Sequence, residues 1–162
     1  MAGDDTRPFT AKITIGDHQR GCTGALVAPS WLLTAACFAE RPETELAVPP
    51  GVPEQATTAT VDGEQRRVVA VHAAGDGQDA ALVRLDRPVT GSAPIALAAA
   101  APAEGDTLTV TGYGRTATDW APVSPHTGSF TAGAPTAGEL PMAGSDGASV
   151  CPGDAGAPSP PV

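Results

Sequence analysis

Phe9-Thr10-Ala11-Lys12-Ile13-Thr14-Ile15 alternates apolar and polar side chains without a break, and a period of two is the spacing of a strand with one buried face. Similar short runs, rich in β-branched residues, lie at Cys22–Ala28, Trp31–Thr34, Thr57–Val61, Gln65–His72, Ala80–Leu85 and Thr107–Thr111. Weaker ones lie at Thr127–Thr131 and Glu139–Met142. With 19 glycines and 17 prolines among 162 residues and aromatics at 4%, the chain favours many short strands and turns over long helices. Asp62-Gly63 between two runs predicts a hairpin. Glu45–Val48, cut off by Pro49-Pro50-Gly51-Val52-Pro53, is at best a short strand. Alanine-rich Pro94–Glu104 has helix propensity, but Pro94 and Pro102 limit it and it reads as a connector. Ala132–Gly147, rich in Ala, Gly and Pro, reads as a mobile loop. The final Pro-Ser-Pro-Pro-Val rules out a central strand over Ala155–Val162. There are no internal repeats.

Charge excludes several functions. Nine basic residues stand against 18 acidic ones, a net charge of −9, so a phosphate backbone would be repelled and a nucleic-acid partner is not expected. The acidic residues are dispersed, and no apolar run approaches the ~18–20 residues of a membrane helix. Met1-Ala2-Gly3-Asp4-Asp5 lacks the basic start and apolar core of an export signal. His18, His72 and His126 are too scattered to read as metal ligands; neither metal nor cofactor is expected. A single lysine, Lys12, and the abundance of alanine fit a GC-rich bacterial genome.

Two segments carry more specific information. Cys22-Thr23-Gly24-Ala25-Leu26-Val27-Ala28-Pro29-Ser30-Trp31-Leu32-Leu33-Thr34-Ala35-Ala36-Cys37 and Cys151-Pro152-Gly153-Asp154-Ala155-Gly156-Ala157-Pro158 resemble the regions around the catalytic histidine and the nucleophilic serine of chymotrypsin-like serine proteases, the trypsin-type peptidase family S1. Asp79-Ala80-Ala81-Leu82-Val83-Arg84-Leu85 resembles the segment carrying the triad aspartate, and Gly112-Tyr113-Gly114 the Gly-Trp-Gly that opens the second barrel. The four segments follow the family's order at roughly its spacing, from about Pro8 to Pro158. The resemblance implies an all-β fold of two six-stranded antiparallel barrels: the first complete over 1–93, a connector at 94–105, and a second, partial barrel over 106–162, shortened at the C-terminus and ending at the nucleophile loop. It also implies secretion.

The same resemblance locates the chemistry and its gaps. Asp79 stands at the triad aspartate. The histidine is absent, as though deleted between Ala36 and Cys37, and Ala155 occupies the position of the serine. The amides of Gly153 and Ala155 would form the oxyanion hole, and Ser149 would floor the specificity pocket. Cys22 and Cys37 would form the first-barrel disulfide; the alternative is three buried, reduced cysteines in a cytosolic protein. Cys151 would be left as a free thiol or an intermolecular link. Cys37 is a poor candidate nucleophile, because Cys22 would then lose its partner. His72 matches a family histidine without a catalytic role, while His18 and His126 read as surface residues. Asp154, in the family held by a newly released α-amino group, lacks the Ile-Val-Gly-Gly type of start here. It would need another partner or exposure, which puts the folding of its loop in doubt. The expectation is a proteolytically inactive homologue whose role, if any, is to bind a protein or peptide. The alternatives are an active serine endopeptidase altered by engineering or sequence error, and a fragment without function.

Overall fold

The structure, a computed structural model, describes residues 7–17, 20–38, 51–75, 78–120 and 122–160. Six strands, β1 (Thr10–Ile15), β2 (Arg20–Ala28), β3 (Trp31–Thr34), β4 (Thr57–Val61), β5 (Glu64–Ala73) and β6 (Ala81–Leu85), close into an antiparallel barrel in the order β1-β2-β3-β6-β5-β4. Closure comes from β1, which pairs with β2 on one side (Ile13↔Cys22) and β4 on the other (Ile13↔Ala59). The alternation in β1 turns Ala11, Ile13 and Ile15 inward, where they meet Leu26, Leu32, Val61, Val71, Val83 and Leu85. Each large apolar side chain buried this way contributes about 1.5–3 kcal/mol. At the Asp62-Gly63 turn both residues have positive φ, 48° and 77°, as a two-residue type I′ hairpin requires.

Disulfide Cys22–Cys37 joins β2 to the segment after β3, with Cα atoms 6.5 Å apart and a sequence separation of 15. A loop of that length is worth about 3 kcal/mol of stability in the chain-entropy account. The Cys22→Ala/Cys37→Ala double variant is therefore expected to lose about 3 kcal/mol in urea unfolding; a loss below about 1 kcal/mol would show that the crosslink does not constrain the unfolded chain.

The second part is a three-stranded sheet, β7 (Thr107–Gly112), β8 (His126–Ala132) and β9 (Met142–Gly144), in the order β7-β8-β9. Leu108, Val110, Phe130 and Ala132 form its buried face. Two expectations need correcting here. Glu139 does not start a strand: Thr136 and Glu139 bridge each other in a tight turn, Pro141 has no N–H to give, and pairing begins only at Met142. Residues 132–147 accordingly hold a strand and a turn rather than a loop. The tail behaves as its prolines dictate. Pro158 and Pro160 accept from the amides of Thr111 and Thr109 along the free edge of β7, but have no N–H with which to continue a ladder. No helix occurs among the described residues. Pro94–Glu104 has no regular structure and begins with Ile95 N–H donating to Leu26. The short strand at Glu45–Val48 lies outside the described residues.

Tyr113, just after β7, lies at the seam. Lys12 Nζ sits 5.9 Å from its ring centre and donates to the carbonyl of Pro122 at 2.7 Å. Burial, and secondarily the Asp62 carboxylate, push the Tyr113 phenol above its ordinary value. It is the chain's single tyrosine, so alkaline absorbance titration reads it directly and is expected to give a midpoint above 10. Because the folded chain holds that proton more tightly, the associated stability is present below the unfolded value and is lost as pH rises through the folded one. A midpoint at or below 10 would show that the ring is solvated.

Candidate functional site

Asp79 lies two residues before β6, and its Oδ1 accepts the amide of Ala36 at 2.6 Å. That bond and the disulfide, at adjacent residues, pin the turn leaving β3. Cys37 directly follows Ala36 and its sulfur is engaged with Cys22, so it is no thiolate nucleophile. His72 is exposed on β5 with its ring 5.7 Å from that of Trp31; His18 lies outside the described residues.

The 151–157 loop is built from two consecutive turns. Asp154 N–H donates to Cys151 O at 2.9 Å, and Ala157 N–H to Asp154 O at 2.8 Å. Thr23, fully buried in β2, ties this loop to the first barrel. Its N–H donates to Ala155 O at 2.9 Å, its hydroxyl donates to Gly153 O at 2.8 Å and accepts from Tyr113 N–H at 2.9 Å, and its own carbonyl accepts from Thr34 Oγ1 at 2.7 Å. One threonine thus joins the barrel, the Gly112-Tyr113-Gly114 corner and the loop. The amides of Gly153 and Ala155 meet no acceptor among the described residues, and the Ala155 methyl is exposed.

Asp154 overturns an expectation. Its side chain is only 5% exposed, yet it is well partnered. Oδ1 accepts from Gly114 N–H at 2.7 Å and Oδ2 from Cys151 N–H at 3.0 Å. His126 is not a plain surface residue either: its Nε2 lies 3.6 Å from Asp154 Oδ1, and its Nδ1 is buried without a hydrogen-bond partner. The loop is formed, and Asp154 is what it closes around. Space for the carboxylate comes from Gly112 and Gly114, since a Cβ at either position would collide with it. Cys151 is a free, half-buried thiol.

Ser149 is exposed at the rim of a cavity of about 110 Å³ shared with Val110, His126, Phe130 and Asp154. A larger cavity of about 310 Å³ lies on the first barrel between Ile15, Arg20, Phe38, Glu54 and Val71. None of Asp79, Ser149 and the loop residues lines it, so its size does not make it the centre of the chemistry. No group of three His, Cys, Asp or Glu side chains placed to hold a metal ion occurs among the described residues.

Thr23, His126 and Gly156 were missed from sequence. Thr23 did have a signal: Cys22–Ala28 is an unbroken run of small and apolar residues without a charge, the mark of a strand covered on both faces, and Cys22 to Leu26 are all buried.

The sequence model of the trypsin family matches residues 2–159. Among solved structures, a kallikrein-related peptidase 10 in complex with Zn2+ superposes with a TM-score of 0.75 at 23% identity, over 98% of this chain and 79% of that one. Neuropsin, a serine protease expressed in the limbic system of mouse brain, gives 0.73 at 19% identity, over 96% and 78%. Human heparin binding protein gives 0.75 at 20% identity, over 99% and 78%. At these identities the structures speak for the fold, a closed six-stranded barrel followed by a partial second sheet. The match of the family sequence model over nearly the whole length settles the affiliation: the chain belongs to the trypsin family.

Proposed function

We propose that this chain is a trypsin-like serine protease homologue without proteolytic activity, whose role lies in binding a protein or peptide. The observation that carries this reading is that disulfide-bonded Cys37 directly follows Ala36, whose amide Asp79 accepts at 2.6 Å, so that no histidine stands in the turn facing Asp79. In a working triad a histidine stands between such an aspartate and the serine. Here Asp79 serves a backbone amide, and a methyl group projects at 155. Removing the nucleophile or the base alone costs on the order of 10⁶ in kcat, and an oxyanion hole can retain only about 10³–10⁴ over water. The cavity beside Ser149, about 110 Å³, is also smaller than the ~300 Å³ at which ligand pockets usually begin.

Secretion fits the Cys22–Cys37 disulfide, which needs an oxidising compartment, and the composition fits a bacterial source. We assign residues 1–93 to the first barrel and 106–162 to the second part, joined by 94–105. Heparin, named for one structural neighbour, is a poor ligand for a chain of net charge −9, because a polyanion would be repelled. Hydrolysis of peptide and ester substrates tests the proposal, and turnover blocked by a serine-directed phosphonate would overturn it.

A second reading is favoured by the ordered loop: an active serine endopeptidase whose histidine and serine were altered by engineering or sequence error. It is supported by the unengaged amides of Gly153 and Ala155, the donors an oxyanion hole requires. The coding sequence around Ala36 and Ala155 separates the two readings. A non-functional fragment would lack a cooperative thermal transition.

A further inference from the structure

A lone apolar side chain on a protein surface is ordinary. Trp120, 83% exposed, is set apart because it is held in place. The turn before it is closed: Thr116 N–H donates to Asp119 O at 2.7 Å, and Thr116 Oγ1 accepts from Asp119 N–H at 3.0 Å. The Arg115 guanidinium lies 5.1 Å from the indole centre, and Arg115 N–H donates to Pro152 O at 3.0 Å. Beyond Trp120, Lys12 holds the carbonyl of Pro122. Trp and Arg are enriched among the residues that dominate interfaces, and a side chain already fixed loses little further freedom on binding.

The first barrel carries a surface of matching size and charge. Its cavity of about 310 Å³ is lined by buried Ile15 and Val71 and half-buried Phe38, with Arg20 and the exposed Glu54 beside them. Phe38 can pack against an indole, Arg20 can lie over its face, and Glu54 can meet the guanidinium that travels with Trp120. We propose that Trp120 of one copy docks in this cavity of a second copy, with Arg115 beside Glu54. The knob and the cavity are different surfaces of one chain, so the contact is heterologous and copies add head to tail. This self-association is independent of the proposed function, which concerns a different partner and is tested by hydrolysis.

Sedimentation of the full chain over a concentration series tests it. A contact made around one side chain is smaller than a standard interface and therefore weak, so the average mass is expected to rise between about 10 µM and about 1 mM. Trp120→Ala and Glu54→Arg, both at exposed positions, should each weaken association at least about tenfold. Val123→Ala, 86% exposed and outside both knob and cavity, should leave it unchanged. Trp120→Ala keeps the cavity without the knob, and Glu54→Arg keeps the knob without the matching cavity. Mixed in equal amounts, the two variants should form a dimer and nothing larger, although neither associates alone. A chain that stays monomeric throughout would overturn the proposal and assign Trp120 to the pocket of a different protein. Equal loss in Val123→Ala, association that survives Glu54→Arg, or a mixture that stays monomeric would overturn it as well.

Discussion

Neither Ala155→Ser nor a histidine inserted between Ala36 and Cys37 is expected to confer hydrolysis by itself; only the two together should. A serine without a base remains a neutral hydroxyl, and a base without a nucleophile has no proton to take. The members of a triad act as a unit, so restoring one of two missing members recovers almost nothing. In the doubly altered chain, ester turnover should exceed that of either single variant by on the order of 10²–10⁴, the usual contribution of a positioned general base, and the new serine should be labelled by a fluorophosphonate. The structure explains why the gain is within reach. The loop is already docked through Thr23, the amides of Gly153 and Ala155 are unengaged among the described residues, and Asp79 already faces the turn that would carry the histidine. Labelling of Ala155→Ser without the histidine would show that another base serves the site. If the double variant shows a normal thermal transition and still does not react, the loop does not present its amides as an oxyanion hole.

The barrel was largely legible from sequence because its inward positions repeat with period two and its turns are written in Asp-Gly and proline. Boundaries moved by one or two residues: β2 starts at Arg20, which pairs with Ile15, and β5 extends to Ala73. The second sheet was harder to read, since β8 (His-Thr-Gly-Ser-Phe-Thr-Ala) has few apolar side chains and β9, three residues long, is exposed along its length. Resemblance to the family supplied the order of Asp79, the Gly112-Tyr113-Gly114 corner and the 151–158 loop. It could not supply the partners of Asp154. Those depend on a cross-strand register, His126 opposite Gly112, and on a docking contact between segments 130 residues apart, Thr23 and Gly153. The register leaves no local trace, since a lone histidine after a proline looks like a surface residue; the docking contact leaves only the uncharged run Cys22–Ala28, and the glycine on its other side looks like any glycine in a turn.

Gly156→Ala is the substitution expected to damage this architecture most for its size. At Gly156 φ is +83°, and a Cβ there would lie 2.5 Å from Thr34 Oγ1 and 2.7 Å from Ala35 N, with the carbonyl oxygen of Thr23 nearer still. All three atoms belong to the first barrel or the turn leaving it, and two are rigid backbone. The methyl therefore cannot be accommodated by a rotamer change; the loop must lift away, breaking the bonds from Thr23 to Ala155 and Gly153. A side chain in the left-handed region costs about 1–2 kcal/mol, and overpacking adds about 1–3 kcal/mol, so a loss of about 2–5 kcal/mol is expected in chemical denaturation. Gly63→Ala separates the two contributions. Its φ is +77°, but nothing lies within 4 Å of the added carbon, so it should show the backbone cost alone. If the two variants lose equal stability, the close approach at Gly156 contributes nothing, and the loop is not docked on the barrel through that contact. If Gly156→Ala loses more and Cys151 also becomes faster to label, the joint between the two parts of the chain lies at Thr23 and Gly156.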